Sequence, residues 1–155
     1  MASRMPISKQ QSILSIVIQA AIIALAAFGF YQIDRNYYLF EALISFIVVF
    51  TLLRYTIPHD HRKGVSLYKK EKYSDAVPYF EKSYIFFTKH KWIDKYRIVT
   101  LLSSSKVSYT EMALLNKAFC LAQLGNKTEA IEIYKKAIEQ FPGSKMAEIA
   151  LKMLK

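Results

Sequence analysis

The sequence predicts an all-α fold in which an N-terminal transmembrane helical hairpin is followed by a short α-helical solenoid and a C-terminal capping helix. Three features predict it: two long apolar runs near the start, amphipathic helical periodicity afterwards, and an internal repeat. We expect residues 1–11 to form an N-terminal segment, residues 12–57 to hold the two membrane helices, and residues 58–155 to form the solenoid.

The two apolar runs cover about residues 12–31 and 37–57. Each has about the 17 to 25 residues that a helix needs to cross the hydrocarbon core at 1.5 Å per residue. Gln19 is the strongly polar residue of the first run, and Glu41 is that of the second up to Leu53. Because Glu41 lies near the outer end, where headgroups are within reach, we interpret it as interfacial rather than as part of a relay.

The basic residues set the orientation of the hairpin. Arg4 and Lys9 precede the first run and further basic residues follow the second, whereas the link 32–36 carries one acid and one base. Lys and Arg stay on the cytoplasmic side, so we expect an integral protein of a bacterial inner membrane with both termini and the solenoid in the cytoplasm. A signal peptide cleaved after Ala24–Ala26 is the alternative, but the run is longer than a usual signal sequence.

The region from Pro58 onward is basic, with 18 Lys and Arg against 10 Asp and Glu, which is +8 of the net +10. That surplus favours anionic lipid headgroups or an acidic partner, although a solvated basic face explains it equally well. Nucleic acid is not expected as a partner, because the basic residues are scattered over amphipathic helices without a recognition motif. The single cysteine, Cys120, excludes an internal disulfide and suits a reducing compartment.

The internal repeat relates residues 69–84 to residues 123–138. Placing Ala76 over Ala130 also places Phe80 over Tyr134, so each copy combines a turn with the start of an amphipathic helix. Helix N-caps are predicted at four hydroxyl residues, which are Ser74, Ser108, Thr128 and Ser144. Of these, Ser108 has capping-box spacing to Glu111.

Both copies resemble the tetratricopeptide repeat (TPR) family, whose unit is a helix-turn-helix of 34 residues. The second copy, about residues 111–144, carries small, turn, aromatic and terminating residues at the family's positions: Ala118, Gly125, Ala130, Tyr134, Ala137 and Pro142. The first copy, about residues 57–90, keeps Gly64, Tyr73, Ala76 and Phe80, but has Ser83 for an alanine and Thr88 for the proline. Neither copy has the family's tryptophan.

An insert separates the two copies, because Ala76 and Ala130 are 54 residues apart, 20 more than one period. The excess lies in residues 91–110, where either the preceding helix continues to about Leu102 or an extra helix is inserted. Trp92, Tyr96 and Val99 share helical spacing, and we favour core packing over an exposed partner patch for them. Two repeats are fewer than usual, so the insert, the capping helix 145–155 or a second copy in a homo-oligomer should cover apolar faces.

The resemblance implies a concave groove lined by the first helix of each repeat. Carried over to this sequence, the partner-binding residues are His61, Val65, Tyr68, Lys69, Met112, Leu115, Asn116, Phe119 and Gln123. A groove that mixes aromatic residues with Lys69 suits an extended or helical peptide with an acidic residue.

Catalytic chemistry has little support in the sequence. His59, Asp60 and His61 lack a third or fourth metal ligand at a recognisable spacing, so a polar cluster next to the membrane is favoured over a metal site. Cys120 has no base implied nearby. We therefore expect no catalytic residue, metal or cofactor, and predict a membrane-anchored adaptor or scaffold. The alternative is a structural subunit of a larger membrane complex, in which the repeats mediate self-assembly.

Overall fold

The computed structural model describes residues 13–154. The predicted cytoplasmic segment 1–11 lies outside the described residues. Within them the regular structure is helical and contains no β-strand, so the predicted all-α class is confirmed. The helices are α1 (Ile13–Tyr31), α2 (Tyr38–Thr56), α3 (His59–Lys69), α4 (Tyr73–Lys89), α5 (Lys91–Lys95), α6 (Arg97–Thr100), α7 (Tyr109–Gln123), α8 (Lys127–Gln140) and α9 (Lys145–Leu154).

The chain divides into two compact units. One, here called the apolar-helix unit, combines the described residues up to Arg54 with residues 96–107. The other, the repeat unit, combines residues 55–95 with the described residues from Ser108 onward. The insert is therefore split between the two units, and each unit is described by itself below.

The apolar-helix unit contains α1 and α2, which are long and apolar enough to cross a membrane. At 19 residues each, they extend about 28 Å, close to the thickness of a hydrocarbon core. Only 11% of the first span and 6% of the second are buried, whereas the core helix of a soluble protein is mostly buried. Their apolar side chains therefore need a cover other than this unit itself.

The repeat unit is a succession of packed helices. Helix α3 packs on α4, α4 on α7, α7 on α8, and α8 on α9. Two helical hairpins thus follow one another, with α4 and α7 in contact, and α9 packs at the end. Its core is formed by small and aromatic residues at the repeat positions, with Ala76, Phe80, Ala118, Ala130, Tyr134 and Ala137 each at most 1% exposed.

Close packing within the first hairpin depends on Gly64 of α3. A Cβ atom built on Gly64 would lie 2.9 Å from Cε1 and 3.0 Å from Cδ1 of Phe80, whose ring is fully buried. The absence of a side chain at Gly64 therefore allows α3 and α4 to approach each other over this ring.

We predict that Gly64→Ala lowers the free energy of unfolding by about 1 to 3 kcal/mol through overpacking. This cost exceeds the gain of about 0.5 to 1 kcal/mol that alanine brings to a helix. Urea unfolding of the full chain in detergent micelles, followed by circular dichroism, measures the change. Ser66→Ala, at an exposed position of α3, is the control. A Gly64→Ala variant as stable as this control would contradict the packing argument.

The turns that follow α3 and α7 have the same geometry despite different residues. After α7, Gly125 has φ +86° and Asn126 N donates to Leu121 O at 2.9 Å. After α3, Glu71 has φ +59° and Lys72 N donates to Leu67 O at 3.1 Å. The first turn therefore holds a glutamate in the left-handed region that glycine favours.

Glu71→Gly is expected to raise the free energy of unfolding by about 1 kcal/mol, because it relieves the left-handed strain on a residue with a Cβ. The same unfolding experiment gives the change. Glu71→Ala keeps the Cβ and removes the charge, so it should not stabilise the protein. Equal stabilisation by both variants would assign the effect to the charge instead.

Of the four predicted N-caps, only Ser108 is confirmed, since its Oγ accepts from Glu111 N at 3.1 Å. Ser74 and Thr128 are wrong because α4 and α8 each begin one residue earlier, which places both hydroxyl residues inside the first turn. Ser144 is also wrong as a side-chain cap, because its hydroxyl is buried without a hydrogen-bond partner in the described structure.

The insert forms separate short helices, since α4 ends at Lys89 before α5 and α6 begin. The side chains of Trp92, Tyr96 and Val99 are 61%, 56% and 52% exposed. The expected packing of these three residues in the core is therefore wrong. Ile93, Leu101 and Leu102, at 8%, 1% and 4% exposed, are the apolar side chains that this region buries.

Candidate functional site

Helices α3 and α7, the first helices of the two hairpins, carry the nine residues predicted to line a groove. The structure divides these residues by burial. His61, Leu115 and Phe119 are buried; Val65, Tyr68, Met112 and Asn116 are half-buried; Lys69 and Gln123 are exposed. The half-buried and exposed members are the ones that a partner can contact without rearrangement of the core.

Phe119 belongs to an aromatic cluster that joins three helices. Its ring centroid lies 5.3 Å from that of Tyr68 on α3 and 6.2 Å from that of Tyr73 on α4, with the rings edge to face. Phe119 is 9% exposed as a result. Its main contribution is therefore packing of α7 against the first hairpin, whereas Tyr68 and Tyr73, both half-buried, extend this cluster to the surface.

A buried carboxylate organises the start of α7. Asp94 on α5 is 5% exposed and accepts hydrogen bonds from Tyr109 N at 2.8 Å, from Thr110 N at 2.9 Å and from Thr110 Oγ1 at 2.6 Å. Together with the Ser108 cap on Glu111 N, it satisfies the first N–H groups of the helix, where a negative charge also faces the positive end of the helix dipole.

His61 lies in the interior next to this carboxylate. Its ring is 6% exposed, packs edge to face against Phe80 and Tyr109, and shares a hydrogen bond between Nδ1 and Ser83 Oγ at 3.2 Å. Burial lowers the pKa of His61 from 6.5 to about 4, although the negative charge of Asp94 opposes the shift. His61 is therefore neutral near pH 7. Because its ring lies in the core, it does not face a ligand in the predicted groove.

The other residues weighed for chemistry do not converge. His59 is exposed beside Asp60, with 3.6 Å between Nδ1 and Oδ1, while His61 is buried, so the two histidines do not form one polar cluster. Across residues 13–154, no group of three or more His, Cys, Asp or Glu is placed to hold a metal ion. Burial raises the pKa of the Cys120 thiol to about 12, so this residue is a protonated packing group.

Charged groups lie on and between the hairpins. Lys117 Nζ of α7 is 2.7 Å from Glu81 Oε2 of α4, which links the two hairpins by an ion pair. Helix α3 carries Arg62, Lys63 and Lys69 against one acid, Asp60. The first helix of the unit therefore has a basic surface next to its half-buried aromatic residue Tyr68.

The sequence did not indicate Asp94 as part of the cap of α7, or His61 as the hydrogen-bond partner of Ser83. Asp94 lies 15 residues before Tyr109, so no local pattern marks it as part of the cap of α7. Ser83 did carry a signal, because a serine at a position where the second copy has buried Ala137 needs a polar partner. That partner is His61, which occupies the position equivalent to Leu115 in the second copy.

Comparison with known proteins gave one family match. Residues 112–144 match the family model of the tetratricopeptide repeat, and these residues correspond to α7, α8 and the turn up to Ser144. No curated protein and no solved structure matches the chain significantly.

Proposed function

We propose that this chain, whose residues 112–144 match the tetratricopeptide repeat, is a membrane-anchored adaptor that presents its repeat unit to a protein partner at the cytoplasmic surface. Tetratricopeptide repeats are protein-binding and scaffolding modules whose stacked hairpins form extended binding surfaces. The observation that carries the proposal is the stacking of the hairpins α3–α4 and α7–α8 through α4 and α7, with partly exposed polar and apolar residues left on α3 and α7.

The proposed anchor consists of α1 and α2. Their apolar side chains are largely exposed, which supports a lipid environment, and the basic residues Arg54, Arg62 and Lys63 support a cytoplasmic position for the chain that follows. Arg62 stacks over the ring of Tyr55 at 3.6 Å, and tyrosine is enriched at membrane-water interfaces. Anionic lipid headgroups are the expected ligands of this basic stretch.

The proposed partner is a peptide segment that contains an acidic residue. The basic surface of α3 supports this charge, and Val65, Tyr68 and Met112 offer half-buried apolar contacts. Asn116 and Gln123 on α7 add amide groups that can bond to a peptide backbone. The buried members of the predicted groove, such as Phe119, pack beneath this surface.

Site-specific photo-crosslinking in the native membrane tests the proposal. A photoreactive amino acid is placed at Asn116 or Gln123 on α7, and at the exposed positions Lys135 and Glu139 of α8 as controls. We expect a distinct protein to be crosslinked from α7 and not from α8. Lys69→Glu should reduce that product at least several-fold, whereas Lys135→Glu should leave it unchanged.

Two other results would decide against the adaptor. In the first, the same proteins are crosslinked from α7 and from α8, and Lys69→Glu does not change the products. This result would show that the surface of α3 and α7 selects no partner. Products that are only copies of this chain would support the alternative, a structural subunit whose repeats mediate self-assembly.

A further inference from the structure

The part of the insert between Tyr96 and Val107 belongs to the same compact unit as the apolar helices. Its helix α6 packs against α1, and Leu101 and Leu102 are buried. We propose that residues 96–107 form a membrane-inserted interfacial segment, in contact with the lipids of the leaflet that α1 enters. This inference rests on the proposed crossing of the membrane by α1.

A hydrogen bond from α1 fixes the depth of the segment. Gln19 Nε2 donates to Leu102 O at 2.9 Å, across 83 residues of sequence. Gln19 lies about seven residues after the start of the apolar run at about residue 12, which corresponds to about 10 Å along the helix axis. Interfacial elements are buried by about 5 to 10 Å at the boundary of headgroups and acyl chains. Leu102 is therefore placed within the leaflet rather than above it.

The hydrogen bond between Gln19 and Leu102 satisfies a polar group of each residue. An amide side chain within an apolar helix needs a hydrogen-bond partner in lipid, and an irregular backbone there needs its carbonyl groups satisfied. Leu102 follows the end of α6 and has φ +47°, so its carbonyl lies outside the regular helical pattern. Gln19 supplies the donor that water would otherwise supply.

Other backbone groups of the segment also have partners within it. Arg97 Nε donates to Ser105 O at 3.0 Å and Arg97 Nη2 to Lys106 O at 2.6 Å, while Ser103 N donates to Arg97 O at 3.0 Å. Ser105 Oγ donates to Val107 O at 2.9 Å. Non-helical backbone at membrane depth is tolerated where it is buried in protein, and Leu101, Leu102 and Ser103 are at most 5% exposed.

The exposed side chains of the segment suit an interface. Val99 on α6 is 52% exposed and Tyr96 just before α6 is 56% exposed, an apolar and an amphipathic group of the kinds found at acyl-chain and headgroup level. Lys106 is exposed at the other end, where its ammonium group can reach anionic headgroups. Helix α1 of the same unit also exposes apolar side chains, among them Leu25 at 72%.

Spin-label accessibility in the full chain tests this proposal. Single-cysteine variants are made in a Cys120→Ala background, labelled, and placed in nanodiscs of phosphatidylcholine and phosphatidylglycerol. Val99→Cys is the test position, Leu25→Cys of α1 is the lipid reference, and Glu129→Cys of α8 is the water reference. We expect the Val99 label, like the Leu25 label, to be more accessible to oxygen than to a water-soluble nickel chelate, with the opposite order at Glu129.

The outcomes separate this inference from the proposed function. A Val99 label that prefers the nickel chelate while Leu25 prefers oxygen overturns the inserted segment and leaves the membrane crossing intact. A Leu25 label that prefers the nickel chelate overturns the crossing itself. A Val99 label that neither reagent reaches shows that a second copy covers the segment, which also overturns lipid contact.

A further variant tests the role of Gln19. Gln19→Leu removes the donor to Leu102 O without adding a polar group to α1, so we expect the Val99 label to shift towards the accessibility of the water reference. Gln32→Leu, outside α1, should cause no such shift. An unchanged Val99 label in Gln19→Leu would overturn Gln19 as the anchor of the segment.

Discussion

Asp94→Ala is expected to lower the free energy of unfolding of the repeat unit by about 3 to 5 kcal/mol, the largest effect of a single substitution that this structure suggests. The carboxylate accepts from Tyr109 N, Thr110 N and Thr110 Oγ1, and it is almost fully buried. Alanine would leave these donors without their partner at the start of α7, where Tyr109 and Thr110 are half-buried. Each hydrogen bond to a charged group contributes about 1.5 to 3 kcal/mol, and the three are not additive.

The measurement is urea unfolding of the full chain in micelles, followed by circular dichroism. Asp75→Ala is the matched control, since Asp75 lies in the first turn of α4 but is exposed, and its loss should cost less than about 1 kcal/mol. Asp94→Asn, which keeps the shape and removes the charge, should fall between the two. Equal costs for Asp94→Ala and Asp75→Ala would show that the buried cap contributes no more than a surface charge.

Asp94 also explains how the chain accommodates an insert between two repeats. Helix α5 follows α4 after one residue and places the carboxylate of Asp94 at the first turn of α7, although 14 residues separate Asp94 from Tyr109. Residues 96–107, which belong to the apolar-helix unit, therefore interrupt the repeat unit between α5 and the capped start of α7. The second hairpin is held to the first by α4–α7 packing and by this cap together.

The helices and the repeated hairpin were predictable because both depend on spacing within short stretches. The periodic apolar residues of α7 and α8 indicate which side chains face inward, and the second copy matches the family over residues 112–144. Helix starts were less predictable. Ser74 and Thr128 failed as caps in the same way in both copies, because α4 and α8 begin two residues before the starts that these caps require.

The insert and the burial of the groove residues were not predictable from spacing alone. Trp92 and Val99 have the helical spacing of a buried face, but spacing does not say whether another helix covers that face. Phe119 occupies a groove position of the family, yet Tyr68 and Tyr73 surround it. These are contacts between residues far apart in sequence, and they depend on how the hairpins pack rather than on any local pattern.

Acidification is expected to destabilise the repeat unit through His61. Its folded pKa of about 4 lies below the ordinary value of 6.5, so between these values the unfolded chain binds a proton that the folded chain lacks. Stability is therefore fully present above pH 6.5 and falls as the pH decreases towards 4. At about 1.4 kcal/mol for each unit of pKa difference, the loss is about 3 kcal/mol.

The physical cause is the environment of the ring. Burial between Phe80 and Tyr109 disfavours the imidazolium, and the nearby Asp94 carboxylate recovers only part of that cost. The Ser83 hydroxyl can bond to neutral imidazole in either tautomer, so protonation gains no new partner there. Below pH 4 the folded chain also binds the proton, and this contribution no longer changes with pH.

Urea unfolding at intervals between pH 7 and 4 measures this dependence in the wild type and in two variants. His61→Gln removes the titrating group, so its stability should fall by about 3 kcal/mol less than that of the wild type over this range. His59→Gln, at a neighbouring residue whose side chain is 73% exposed, should keep the wild-type dependence. If His61→Gln retained the full acid sensitivity, the loss of stability would have to come from carboxylates, and the buried neutral histidine would be excluded as its source.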